Sequence, residues 1–145
     1  MGNQRQYNKD GGFTQYLYKD ESDKEIIGGV TCKLVSRIDD PSGTHSGLPK
    51  YSSTTEVYLK KGKDGLASQA RVYKDRHSFM DIDWSHTHKN PDGTTFPKGT
   101  AHVQVYKTDK DGNVVRLSDK ARPMTDAEIK KYGPVIKHYN PNVKF

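Results

Sequence analysis

Residues 55–73 have the sequence TEVYLKKGKDGLASQARVY, which is typical of a β-hairpin. The runs 55–60 and 67–73 contain the β-branched and aromatic side chains that favour strands. Between them, Lys63-Asp64-Gly65 is a turn signal, because Asp and Gly both tolerate the positive φ of a tight turn. The stretch therefore predicts two antiparallel strands.

Further strand-like runs lie on both sides of this hairpin. After it come 78–84, 101–106 and 114–117, with connections short enough for an antiparallel meander. Before it, a polar leader over residues 1–12 precedes the runs 13–18, 26–27 and 30–38. The Ser-, Thr-, Gly- and Pro-rich stretch 39–55 looks like a boundary. We therefore predict an N-terminal arm with one or two short strands (1–46) and a main domain (47–145).

The end of the chain predicts a helix. Residues Thr125 and Glu128 form a capping box, in which each side chain bonds a free backbone N–H of the other. Ile129, Tyr132 and Ile136 should face the sheet, and Pro134 should end or kink the helix near residue 133. The predicted fold class is α+β: an antiparallel β-meander with a C-terminal helix and a short polar N-terminal arm.

Composition narrows the function classes. The 145 residues suit a single domain, and 9 Tyr, 4 Phe and 1 Trp compensate for a hydrophobic content of only 31%. The net charge of +6 makes RNA or another phosphate a reasonable partner. The lone Cys32 excludes an internal disulfide and a Cys-rich zinc site. No apolar run approaches the ~20 residues that span a bilayer, and the N-terminus lacks a hydrophobic signal region. We expect no membrane contact and a cytoplasmic protein.

The densest chemistry is the segment DIDWSHTH at residues 81–88. Strand alternation places Asp81 and Asp83 on one face, with Trp84 on the other as a core anchor. The two histidines of the segment lie where the strand runs into a loop. If the strands 78–84 and 101–106 are neighbours, His102 returns close to them.

Three explanations fit this cluster. The first is RNA cleavage without metal, in which histidines transfer protons while Arg71 or Lys98 holds the phosphate. The second is a divalent metal site for Zn, Mn or Ni. Its ligands would be Asp81 or Asp83 with the histidines His86, His88 and His102. The third is an ordinary polar surface whose aspartates pair with Lys and Arg.

Six short motifs, in this order, resemble those of a known family. They are GLPKYS at 47–52, QARVY at 69–73, DIDWSHTH at 81–88, GTAHV at 99–103, MTDAEI at 124–129 and NPNVKF at 140–145. The family is a small domain at the ends of bacterial polymorphic toxins, also found in proteins of Gram-positive phages and prophages, and labelled polymorphic toxin type 24. The resemblance covers roughly residues 47–145.

The resemblance implies an RNase related in fold to barnase, EndoU and colicin-type tRNases. Such a fold has an N-terminal helical part, followed by a curved antiparallel sheet that carries the active site. The matching positions here are Arg71, Asp81, Asp83, His86, His88 and His102. The chain departs from the family because residues 1–46 look strand-like. It also starts at its own Met1 without a delivery module, as expected for a small phage protein.

We therefore predict a small basic phage- or toxin-type protein that is a metal-independent endoribonuclease or an RNA-binding protein. Its catalytic residues would be His86, His88, His102, Asp83 and Asp81, and its substrate-binding residues Arg71 and Lys98. One alternative is a non-catalytic phage protein that acts by protein–protein contact, as a virion component or an inhibitor of a host factor. Another is a metal-dependent hydrolase. No cofactor is predicted for the endoribonuclease or RNA-binding protein. A divalent metal is predicted for the metal-dependent hydrolase. The expected location is the host cytoplasm or the virion.

Overall fold

The computed structural model describes residues 3–7, 13–37, 48–49, 54–111 and 113–145. These residues form eleven strands and one helix. The elements are β1 (Asn3–Tyr7), β2 (Phe13–Asp20), β3 (Glu25–Ile27), β4 (Val30–Arg37), β5 (Val57–Lys61), β6 (Ala67–Lys74), β7 (His77–Asp83), β8 (His88–Lys89), β9 (Thr95–Phe96), β10 (His102–Thr108), β11 (Val114–Arg116) and α1 (Asp126–Tyr139).

Nine strands form one sheet, in the order β1-β2-β4-β5-β6-β7-β10-β11, with β3 paired to β4. Strands β8 and β9 form a separate small hairpin. The mostly antiparallel sheet with its C-terminal helix confirms the predicted α+β class. One pair departs from a simple meander, because β4 and β5 run parallel. Residues 38–56 connect them, which is long enough for the crossover that a parallel pair needs.

The parallel pair joins the first four strands to the rest of the sheet. Cys32 on β4 lies opposite Val57 on β5, and both are buried. The sheet therefore continues across the predicted boundary between the arm and the main domain. The boundary itself, at residues 46 and 47, lies outside the described residues.

The predicted hairpin forms β5 and β6, and β7 extends it. Leu59, Ala70 and Ile82 lie opposite one another on the three strands, and all three are fully buried. The turn between β5 and β6 includes Gly65 at φ 85°, a conformation that glycine adopts without steric cost. Alternation along each strand thus places one apolar row against the helix. The opposite face, which we call the polar face, carries polar side chains beside a second buried cluster, formed by Tyr18, Val35, Leu48, Tyr58 and Tyr73.

Helix α1 begins as predicted. Thr125 caps it and forms the reciprocal capping box with Glu128. Tyr132 and Ile136 are buried against the sheet, and Ile129 packs at the edge of the same core.

The predicted end of the helix near Pro134 is wrong, because α1 continues to Tyr139, whereas the Asn140-Pro141-Asn142 run does stop the helix. Pro134 is exposed on the outer side of the helix, whereas Val135 is fully buried. Burial of the second half of the helix outweighs the hydrogen bond that a proline removes, a loss of about 3 kcal/mol. Asn140 then ends the helix as its C-cap.

The only tryptophan of the chain is a core residue, as predicted. Trp84 is 4% exposed, and its ring nitrogen donates to the carbonyl of Ala67 at 3.0 Å. Asn140 donates to the same carbonyl at 2.8 Å. Trp84, two residues before His86, is therefore bonded to β6 at a carbonyl that also binds the C-cap residue of α1.

Candidate functional site

The polar face of the sheet carries a row of side chains that crosses four strands. Lys60 on β5 is opposite Gln69 on β6. Gln69 is also opposite Asp83 on β7, which is opposite His102 on β10. Neighbouring strands lie about 4.8 Å apart, so this Lys60–His102 row spans about 14 Å.

The histidines come together because a loop leaves the sheet after β7 and returns at β10. The amide of Gly99 donates to the carbonyl of Trp84 at 2.8 Å and closes this loop at its base. Within the loop, His88 starts β8 and pairs with Phe96 of β9. His102 starts β10 and lies opposite Asp83. The prediction that these two strands are neighbours is therefore confirmed.

The rings of His86, His88 and His102 pack against one another. The ring centroids of His88 and His102 are 4.9 Å apart, with the planes stacked at 22°. Those of His86 and His102 are 5.6 Å apart, edge to face. One ring nitrogen of each histidine lies within 4.8 Å of the corresponding nitrogens of the other two. We call these three residues the histidine cluster.

Two histidines of the cluster each have one ring nitrogen hydrogen-bonded to an acceptor oxygen of the protein. His88 Nε2 is 3.0 Å from Asn90 Oδ1. Asn90 is itself 1% exposed and makes two bonds to the backbone of Ala121, at 2.8 and 2.9 Å. His102 Nδ1 lies 3.4 Å from the carbonyl of Thr100. These bonds fix the orientation of both rings.

The third histidine is linked to the carboxylate of Asp83. His86 Nδ1 is 3.1 Å from the hydroxyl of Ser85 and 3.7 Å from Asp83 Oδ1. The Ser85 hydroxyl and amide both donate to Asp83 Oδ1 at 2.7 Å. The imidazole of His86 is more than half exposed, so it is the least buried member of the cluster.

The electrostatic setting of His102 favours its neutral form. Burial lowers the pKa of this imidazole, and the nearby His88 and His86 act in the same direction. The charge of Asp83 and the carbonyl of Thr100 oppose the shift without reversing it. Phe96 also stacks on this ring, at 5.4 Å between centroids.

Arg71 on β6 and Asp81 on β7 form an ion pair on the same face of the sheet. Arg71 Nε and Nη2 donate to the two carboxylate oxygens at 2.5 and 2.8 Å. The hydroxyl of Tyr106 donates to Asp81 Oδ2 at 2.6 Å. Burial and the charge of Asp81 raise the pKa of Tyr106 to about 12, so this phenol stays protonated.

The remaining donors of Arg71 hold a different part of the chain. Its Nη1 donates to the carbonyls of Leu48 and Pro49, at 2.6 and 3.4 Å. Burial disfavours the guanidinium charge, but the hydrogen bond and charge of Asp81 outweigh burial and raise the pKa of Arg71. Both predicted site residues thus have partners within the protein, and together they attach residues 48–49 to the sheet.

A groove of about 1090 Å³ runs along this face, with the histidine cluster at one side. Asp83, Arg71, Asp81 and Lys98 also line it, so every predicted site residue borders one space. Its described lining contains six Lys or Arg side chains and three Asp. They are Lys60, Lys61, Lys63, Arg71, Lys98 and Arg116, with Asp64, Asp81 and Asp83. The groove is therefore net basic.

The sequence did not identify the residues that support the cluster. Asn90 precedes Pro91 in a turn-like Asn-Pro-Asp-Gly run, which predicts a solvent-exposed loop. Its nearly complete burial depends on Ala121, 31 residues away. Phe96 and Tyr106 likewise gain their roles from strand pairing, and no local pattern marks them.

Comparison of the chain with protein-family models, curated proteins and solved structures finds no match in any of the three. Within the described residues, no helix has both the length and the apolar character to cross a membrane.

Proposed function

We propose that this protein binds RNA in the basic groove and cleaves it at the histidine cluster. The observation that carries the proposal is the shared lining of the groove: three clustered histidines and a set of lysines and arginines border the same space. Cleavage needs groups that accept and donate protons, and binding needs cations. The groove offers both.

The cations favour a polyanion over a small neutral substrate. Lys60 lies at the far end of the row from His102, about 14 Å away across the strands, and Lys63 lies in the turn beyond it. Phosphates at regular spacing can contact several such cations at once, and each contact releases condensed counterions. A chain of nucleotides therefore fits this arrangement, with the scissile phosphate beside the histidines.

RNA is the favoured nucleic acid because its ribose supplies an internal nucleophile. In transphosphorylation, the 2′-OH loses a proton and attacks phosphorus, and the 5′ oxygen leaves with a proton. The negative charge that builds on the phosphate needs a nearby cation. The exposed Lys98 borders the groove beside the cluster and can supply this charge, whereas Arg71 is already bound to Asp81.

The motif resemblance to polymorphic toxin and phage proteins fits the same function. We place the activity in the cytoplasm of the host cell, with a virion-associated protein as the alternative. The competing function is contact with a host or virion protein without catalysis.

The first experiment incubates the purified protein with tRNA and a structured RNA, beside the His86→Ala/His88→Ala variant. His138→Ala is the matched control, since His138 lies on α1, is half exposed and pairs with Glu25 outside the groove. We expect cleavage by the wild type and the control and none by the double variant. Cleavage retained by the double variant would remove the cluster from the proposal.

Binding is measured separately with Lys60→Glu/Lys63→Glu and with the control Lys110→Glu/Lys130→Glu. Both control residues are exposed and lie outside the groove lining. We expect weaker RNA binding only in the groove variant. Binding without cleavage would reduce the function to RNA binding, and the absence of both would favour the protein–protein alternative.

A further inference from the structure

We propose that the histidine cluster is a binding site for one divalent transition metal ion of the zinc type. The inference goes beyond the proposed function, because an ion held by the free ring nitrogens would act at this site in place of direct proton transfer by the histidines. It rests on two observations. Three ring nitrogens lie close together, and hydrogen bonds to the second nitrogen of the rings fix their orientation.

The hydrogen bonds determine which nitrogen of His88 is free. Asn90 Oδ1 accepts from the Ala121 amide, while Asn90 Nδ2 donates to the Ala121 carbonyl, so the amide orientation is fixed. Since Oδ1 can only accept, His88 Nε2 must carry the proton that bonds to it. The lone pair of His88 is therefore on Nδ1.

The same reasoning applies to His102 and His86. A carbonyl can only accept, so the bond to Thr100 places the proton of His102 on Nδ1 and its lone pair on Nε2. The Ser85 hydroxyl uses its hydrogen on Asp83, so it accepts from His86 Nδ1 and leaves Nε2 free. A histidine whose second nitrogen is bonded to a carbonyl, an amide oxygen or a carboxylate-linked group is the usual arrangement of a metal ligand.

The aspartates contribute less to the ligand set than the sequence suggested. Asp81 is paired with Arg71 and accepts from Tyr106, so its oxygens are occupied. Asp83 Oδ1 accepts twice from Ser85 and orients His86 through it. The three imidazoles therefore remain as the candidate ligands.

Three histidines suit zinc and similar ions. Zn–N bonds of about 2.05 Å place ligand nitrogens about 3.3 Å apart in a tetrahedron. One nitrogen of each ring lies within 4.8 Å of one nitrogen of each other ring, so binding of an ion needs the rings to move closer together. His86, whose imidazole is more than half exposed, has the most room to do so. Three protein ligands leave the fourth position to water, as in catalytic zinc sites.

The test uses the full chain, stripped with a chelator and titrated with ZnCl₂ by calorimetry without RNA. We expect one ion per chain in the wild type and in His138→Ala. We expect loss of this binding in His86→Ala and in His88→Ala. Because His86 is exposed, its variant is expected to fold, which circular dichroism checks. Binding by His86→Ala equal to that of the wild type, or no binding by the wild type, would overturn the inference.

Two further measurements give independent readouts. Asn90→Ala should bind zinc about 10–100-fold more weakly, the usual effect of removing an outer partner. Co²⁺-loaded wild type should show the visible absorption of tetrahedral coordination, and its absence would contradict the geometry. RNA cleavage that survives EDTA in a protein that binds no zinc would reject the metal and keep the proposed function. Zinc binding without RNA cleavage would keep the metal site and reject the proposed function.

Discussion

Asn90 shows how a residue in a turn can organise a site that it does not enter. Its amide makes two bonds to Ala121 and one to His88, and it is almost completely buried. The same side chain thus anchors the loop between β7 and β10 and sets the ring of a cluster histidine.

Replacing Asn90 by Ala should lower the free energy of unfolding by about 1–3 kcal/mol, because the Ala121 N–H and C=O are left buried without partners. Urea denaturation measures the change. The exposed Asn142→Ala is the control, with an expected effect within about 0.5 kcal/mol. Equal stability of Asn90→Ala and the wild type would show that water replaces these bonds.

Trp84 is the second residue with a large expected effect. Its ring is buried, so Trp84→Ala should cost about 3–5 kcal/mol, the range for truncating a large core aromatic. Thermal melting followed by circular dichroism checks this value, with Trp84→Phe as the conservative variant and a smaller expected loss. A Trp84→Ala protein that melts with the wild type would place the ring outside the core.

At the scale of elements, the start of α1 combines a capping box with an ion pair. Arg122 donates to both carboxylate oxygens of Glu128, at 2.7 and 2.9 Å. These bonds hold the pKa of Glu128 below its usual value of 4.5, although burial opposes them. A carboxylate with a lowered folded pKa stabilises the protein above the unfolded pKa and loses this contribution as pH falls.

We therefore expect the wild type to lose stability from about pH 5 to 3 more steeply than Glu128→Gln. Urea denaturation at several pH values measures the slopes. Asp126→Asn is the control, since this acidic residue lies in the same first turn. Equal slopes for the wild type and Glu128→Gln would mean that the ion pair does not persist in solution.

Elements with strong local signals could be predicted from the sequence. The sequence of the β5–β6 hairpin has strand-forming side chains on both sides of a turn signal, and that of α1 begins with a capping box. Both elements were therefore predicted to within a few residues. The parallel pairing of β4 with β5 could not be predicted from local patterns. It depends on contacts between two strands that residues 38–56 separate in the sequence. The helix end predicted at Pro134 was wrong for a related reason. The burial of Val135 and Ile136 outweighs the local tendency of proline to end a helix.

The candidate site was also partly predictable. His86 and His88 are two residues apart, and His102 starts the strand that pairs with β7, so their proximity follows from one strand pairing. The Lys60–His102 row needs the register of four strands, which no local pattern contains. The choice of ring nitrogens depends on Asn90, Thr100 and Ser85, and it emerges only from three-dimensional contacts.

For the whole molecule, the basic groove predicts a strong dependence of RNA binding on salt. The logarithm of the binding constant should fall with the logarithm of salt concentration, by about 0.7 per phosphate neutralised on a single strand. Lys60→Glu/Lys63→Glu should reduce the magnitude of this slope by about 1.4 or more. Fluorescence anisotropy in a NaCl series measures both slopes, and an unchanged slope would place the RNA elsewhere.

The position of Trp84 makes the protein its own optical probe. The chain has 1 Trp, so indole emission comes from a single environment, the buried core at the start of the loop that carries the histidines. The indole is held by Ala67, and the next residue, Ser85, already belongs to the bonds around His86. We expect a quenching ion at the cluster, such as Cu²⁺, to dim this emission, so one unlabelled sample can report on both the core and the site.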